Sequence, residues 1–225
     1  MAIQLIIFDF DGTIADTYQA VVNITNGLSG EFGYKPIDSE AMILLKDLSS
    51  REIVKQSQIS LYKLPFLARR IRTELGKQIA TLKPISGIPE ILIELKSQGY
   101  QMGIITSNAK QNVMAFLNQQ NLSHLFDFID SDKTIFGKHR IIKKYSDKYR
   151  VDRANIVYVG DETRDIRSAR KSRVSAIAVD WGFNSAQILS QYEPDFLAST
   201  PTEILDAIEK LNFNSRIKPK TAFSK

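Results

Sequence analysis

Four short segments of the chain are apolar almost without interruption: AIQLIIF up to Phe8, QMGIIT up to Thr106, NIVYVG up to Gly160 and VSAIAVD up to Asp180. Runs of this kind, without apolar/polar alternation, belong to strands covered on both faces, as parallel strands are. Helical periodicities lie between them. In IPEILIELKSQG the residues Ile88, Ile91, Leu92 and Leu95 share a face, and Gly99 supplies a stop. The alternation predicts an α/β fold, a doubly wound parallel sheet with right-handed crossovers. FDFID, residues 126–130, reads as a further strand at or near an edge. Residues 17–82 break the alternation, because their patterns are helical throughout, and they close at LKPISG, where Pro84 and Gly87 mark a connection. The expected organisation is an α/β core from residues 1–15 and 83–213, an all-helical cap inserted at 16–82, and a basic, frayed tail at 214–225.

A chain of 225 residues is long enough for one substantial core with a smaller inserted unit. It contains no cysteine, which excludes disulfides and thiolate metal sites and leaves oxygen or histidine to hold any metal. No run approaches the ~18 apolar residues of a membrane span. The first residues lack a basic segment with a cleavage site, so the expected location is cytoplasmic. The net charge of +5 invites a nucleic-acid partner, yet Arg216, Lys218, Lys220 and Lys225 in the tail supply most of it. That distribution argues against nucleic acid as a partner. The second basic run, Lys138 to Arg150, reads as the solvated face of a helix whose apolar side is Ile141, Ile142, Tyr145 and Tyr149.

Polar residues cluster where the apolar runs end: Asp9 and Asp11 after the first, Thr106, Ser107 and Asn108 after the second, Asp161 and Asp165 after the third. In a parallel sheet these ends share one edge, so the residues converge on one crevice. Asp9 and Asp11, two residues apart on a strand, point the same way and repel each other unless a cation or a proton intervenes. Several carboxylates without thiolates favour a hard divalent cation such as Mg²⁺. Asp165, four residues beyond Asp161, faces the same side one helical turn on. Read singly, Asp161 serves equally well as a helix N-cap and Asp165 as a surface charge, and Gly160 relieves a tight turn. The strand-to-helix junction at Thr106, Ser107 and Asn108 offers hydroxyls and free amides that suit a phosphate, although capping by Ser107 or Asn108 explains it too. Lys138, near a helix start, gains nothing from the helix dipole there and is a candidate counter-charge.

DFDGT, TSN, a lysine and GDETRD, in that order and with a helical insertion after the first, resemble the haloacid dehalogenase superfamily of aspartate-dependent phosphohydrolases. The position of the insertion resembles the subgroup with a small helical cap that includes phosphoglycolate phosphatase-like enzymes. The resemblance implies a Rossmann-like core and hydrolysis of a small phosphorylated metabolite. It makes Asp9 the nucleophile that forms an aspartyl-phosphate and Asp11 the general acid and base. It assigns Mg²⁺ to Asp9, the Asp11 backbone carbonyl, Asp161 and Asp165, and the transferring phosphoryl group to Thr106 with its neighbours Ser107 and Asn108. Lys138 is the neutralising cation, with Lys133 as the alternative because Lys138 is followed by His139 and Arg140 where relatives have prolines. Pyrophosphatase, nucleotidase and phosphosugar mutase chemistry start from the same residues, and a binding or regulatory protein can share the fold. Tyr18, Asn23 and Arg51 are the insertion residues considered for facing a substrate, with Arg51 read first as a charge on a helix surface. Trp181 and Phe183 read as packing.

Overall fold

Leu5 and Ile7 face one side of the first strand, β1 (Leu5–Phe8), and Ile6 and Phe8 face the other; all four are fully buried. A strand at the centre of a two-sided core produces that pattern. The computed structural model describes residues 2–57, 59–131 and 137–217. Among these residues β1 is joined by β2 (Gln101–Thr106), β3 (Phe128–Ser131), β4 (Ile156–Gly160), β5 (Ser175–Val179) and β6 (Phe196–Ala198). Every pairing is parallel, and the strand order is β3-β2-β1-β4-β5-β6. The expected doubly wound sheet is present, with FDFID at its edge as β3.

The crossover helices cover both faces. Helices α5 (Ile88–Ser97), α6 (Lys110–Gln119) and α10 (Thr202–Ile217) pack on the face of Ile6 and Phe8. On the face of Leu5 and Ile7 lie α7 (Lys138–Tyr149), α8 (Thr163–Ser172) and α9 (Ala186–Ser190). From β1 the chain winds outward through β2 to β3, then returns to β4 and winds the other way. The carboxyl ends of β1 and β4 therefore flank the point at which the winding reverses, where open α/β sheets form a ligand crevice.

Between β1 and α5 lie α1 (Tyr18–Phe32), α2 (Ser39–Lys46), α3 (Ser50–Gln56) and α4 (Leu64–Gln78), with no strand among the described residues. Asp38 caps α2, and a reciprocal Ser49–Glu52 capping box opens α3. Leu28, Phe32 and Leu67 form a small core of their own between α1 and α4. The two chain connections to this helical unit run side by side: the Asp16 amide donates to the Lys83 carbonyl at 3.0 Å and the Ile85 amide to the Ile14 carbonyl at 2.9 Å.

The last helix departs from expectation. It continues to Ile217, so residues 214–217 belong to it and not to a frayed tail. Its anchors are Ile204, Ala207 and Ile208 in the core, and Asn212, which accepts from the Ile3 amide and donates to the Tyr100 hydroxyl. Residues 218–225 lie outside the described residues.

Candidate active site

Asp9 follows β1 directly, and its amide donates to the Val159 carbonyl of β4 at 2.8 Å. That bond holds it at the crevice. The chain then turns sharply: the amides of Ile14 and Ala15 both donate to the Phe10 carbonyl, and Gly12 adopts φ +74°. Only glycine takes this conformation here, because a Cβ on Gly12 would lie 2.4 Å from Asp161 Oδ2. The turn also delivers Thr13, whose hydroxyl donates to Asp161 Oδ1 at 2.7 Å, and the Phe183 amide holds Asp161 Oδ2 at 2.7 Å. Asp161 is thus no helix cap; Glu162 is the residue preceding α8, and its amide donates to Asp165 Oδ2 at 3.1 Å. Gly160 has no positive φ and relieves no turn: its missing side chain leaves room for Asp165, whose Cγ would stand 2.6 Å from a Cβ there.

Oxygen atoms of Asp9, Asp161 and Asp165 lie within 4.8 Å of one another, and all three residues are buried. Asp165 is therefore not a surface charge. Lys138, the first residue of α7, is itself buried and bridges two of them, with Nζ 2.6 Å from Asp9 Oδ2 and 2.7 Å from Asp165 Oδ1. Burial alone would lower the Lys138 pKa, but Asp165 and Asp9 raise it above the ordinary lysine value, so it is a fixed cation. A basic run expected to be solvated begins with the most buried lysine of the site. Lys133, the alternative, lies outside the described residues.

Three carboxylates against one ammonium leave a buried excess of negative charge. Burial and the charges of Glu162, Asp9 and Asp165 push Asp161 well above the carboxylate range. Burial likewise raises Asp165 to about 6 despite the opposing effect of Lys138. Carboxylates so placed ionise fully when a further cation joins them, and a donor set of oxygens alone fits a hard divalent ion. Asp11 stands apart from this cluster. Its Oδ1 accepts from Asn108 Nδ2 at 3.0 Å, and burial with the neighbouring charge of Asp9 raises its pKa to about 7. A carboxyl group half protonated near neutrality can donate a proton and take one back.

Thr106 ends β2 two residues past Ile104, the partner of Phe8, so it lies at the same sheet edge as Asp9. Its hydroxyl accepts from the Asn108 amide at 2.9 Å. Asn108 Oδ1 takes the Ala109 amide and Asn112 Nδ2, while Ala109 is the residue preceding α6; neither Ser107 nor Asn108 is that helix's side-chain cap. A cavity of about 630 Å³ opens from Asp11, Ser107 and Asn108 towards α3 and α4. Arg51 lines it, but Asn23 is exposed and paired with Gln19 along α1. Tyr18 packs edge-on against Phe183, ring centroids 5.3 Å apart, so Phe183 joins the helical unit to the Asp161 loop as well as filling space.

Several participants were not singled out from sequence. Thr13 reaches Asp161 across 148 residues. Glu162 and Arg164 pair with each other beside the carboxylates, and Arg164 Nη2 also donates to the Ser107 hydroxyl at 3.4 Å. From the helical unit, Arg72 Nη1 donates to the Ser107 carbonyl at 3.1 Å. Asn184, buried, accepts from the Thr163 amide and donates to the carbonyls of Lys46 and Leu48. In sequence Thr13 lies within DFDGT and Glu162 and Arg164 lie within GDETRD, whereas Arg72 and Asn184 are ordinary polar residues that neither motif marks.

Comparison with known proteins agrees with this geometry. Residues 6–179 match the family model described as haloacid dehalogenase-like hydrolase. The chain is 38% identical over 208 residues to a phosphoglycolate phosphatase of Synechococcus elongatus, covering 92% of this chain and 98% of that one. It is 22% identical over 220 residues to the pyrophosphatase PpaX of Bacillus mycoides, covering 94% and 100%. In fold it is similar to a haloacid dehalogenase-like family hydrolase from Streptococcus pneumoniae, with a TM-score of 0.72, 22% identity and coverage of 91% and 97%.

Proposed function

Because the chain belongs to the haloacid dehalogenase-like hydrolase family, we propose that it is a Mg²⁺-dependent phosphatase acting on a small phosphomonoester, phosphoglycolate first among the candidates. The observation that carries this reading is the buried Asp9–Asp161–Asp165 cluster bridged by Lys138, with the near-neutral Asp11 beside it. Residues 16–82 act as the cap and residues 1–15 and 83–217 as the catalytic core, and the charge distribution argues against a nucleic-acid partner.

Asp9, Asp161 and Asp165 would hold the Mg²⁺ with the Asp11 carbonyl, and the ion would offset charge on the carboxylates and on the phosphoryl group. Thr106, with Ser107 and Asn108 around it, positions the phosphoryl group. The Asp9 carboxylate attacks phosphorus as the ester bond to the leaving oxygen breaks, and Asp11 gives that oxygen its proton. Asp11, now ionised, takes a proton from water as the water oxygen attacks phosphorus; inorganic phosphate leaves and the Asp9 carboxylate is restored. Lys138 holds the Asp9 carboxylate in its orientation throughout. The helical unit excludes bulk water from the labile acyl phosphate.

The test is turnover of phosphoglycolate, pyrophosphate and an aryl phosphate with Mg²⁺. We expect hydrolysis of the monoesters and its loss to background in Asp9→Asn. Full activity in that variant removes Asp9 as nucleophile, and turnover of pyrophosphate alone replaces the monoester reading.

A further inference from the structure

The cavity above Asp11 is lined by apolar and polar residues alike, and its charged members are unevenly divided: Arg51, Lys55, Arg72 and Arg164 face it against Asp11 and Glu162. Two of these arginines converge on one residue. Arg72 from α4 holds the Ser107 carbonyl, and Arg164 from α8 holds the Ser107 hydroxyl. Arg164 Nη2 also meets Glu162 Oε1, while its Nε is buried without a hydrogen-bond acceptor among the described residues. The other Glu162 oxygen is engaged by the Ser50 hydroxyl of α3 at 2.9 Å.

A guanidinium carries five donors in a planar fork that matches a carboxylate or phosphate in pairs, and a buried donor left unmet is costly. Arg164 is therefore an incompletely used anion site in which an internal carboxylate already sits. Charge on the transferring phosphoryl group does not require it, because Lys138 and the divalent ion serve there. Ser107 directly follows Thr106 and lines the same cavity as Asp11 and Arg164, so an anion held beside Ser107 neighbours the phosphoryl position.

We propose that Arg164, assisted by Arg72, is the specificity anchor for a second anionic group on the leaving part of the substrate, with Glu162 holding that place until substrate displaces it towards Ser50. The substrate class is then a short phosphomonoester that carries its own carboxylate. This rests on the phosphatase reading above and adds to it the residues that choose the substrate.

The experiment compares kcat and KM for phosphoglycolate and for ethyl phosphate, which has a methyl group in place of the carboxylate, with Mg²⁺ throughout. The unmodified protein should prefer phosphoglycolate. In Arg164→Gln that preference should fall about 10- to 100-fold, the size of one charge-assisted contact, through KM more than kcat. Arg164→Lys should restore part of it, since charge survives but the fork does not. Arg72→Gln, on the opposite side of Ser107, should lower the preference in the same direction. Equal losses on both substrates in Arg164→Gln place Arg164 on the phosphoryl group and overturn the proposal; so does an unchanged preference, or an unmodified protein that prefers ethyl phosphate. If the unmodified protein hydrolyses neither compound, nor an aryl phosphate, the phosphatase reading has failed. The anchor is then judged by thermal protection: phosphoglycolate should protect more than ethyl phosphate, and Arg164→Gln should abolish the difference. Equal protection overturns it.

Discussion

Asp11, Asp161 and Asp165 all hold protons in the folded chain more tightly than carboxyl groups exposed to water, with Asp11 at about 7 and Asp165 at about 6. The cause is burial first and mutual repulsion second. Because the folded pKa values lie above the unfolded ones, the folded state binds more protons between about pH 4 and pH 7, and stability falls as pH rises through that window. Protein stripped with EDTA should therefore melt lower at pH 8 than at pH 5, by roughly 2 to 4 °C for each kcal/mol. Added Mg²⁺ should raise the melting temperature more at pH 8, and an equal rise at both pH values contradicts the assignment of the cluster as the metal site. Gly12→Ala tests the packing around Asp161: the left-handed φ and the 2.4 Å approach to Oδ2 should cost about 1 to 2 kcal/mol and raise the Mg²⁺ concentration for half-maximal activity. The carboxylates themselves were legible because apolar strands end at them, which brings sequence-distant residues to one edge. Thr13 and Arg164 were not, because a threonine in a turn and an arginine at a helix start acquire meaning only from partners that folding supplies.

The strands were legible as elements for the same reason that they are central: burial on both faces removes polar residues from them. The helical insertion was legible as a whole, and the Ser49–Glu52 box is visible in the sequence, but the way it docks is not. Docking depends on α2, α3 and the turn between them meeting residues some 136 positions away: Asn184 Nδ2 donates to the Leu48 carbonyl at 2.9 Å while its Oδ1 holds the Thr163 amide at the start of α8. One buried side chain thus ties the insertion to the loop that carries Asp161. Asn184→Leu leaves those backbone groups without partners and should destabilise the protein by about 2 to 3 kcal/mol. Urea denaturation measures the loss, and faster proteolysis around residues 47–50 should accompany it; an unchanged cleavage rate means that other contacts hold the turn.

At the scale of the molecule the chain has two cores of unequal size. The sheet is covered by extensive apolar clusters on both faces, whereas the helical insertion keeps a small one around Leu28, Phe32 and Leu67. Unequal cores imply unequal local stability. Leu67→Ala should cost about 2 to 4 kcal/mol and act on the insertion first. Hydrogen exchange should show α1 and α4 losing protection while β1 and β4 keep theirs, and uniform loss would mean a single cooperative unit. No helix among the described residues is long and apolar enough to cross a membrane. The paired connections at Ile14–Asp16 and Lys83–Ile85 have one more consequence. An insertion whose entry and exit are hydrogen-bonded to each other closes on itself, so its length and content barely alter the loop-closure entropy of the core. The helical unit is in that sense an interchangeable cassette: a relative's insertion grafted at these two points should leave the core folded, exchanging Arg72 while Arg164 stays behind in α8.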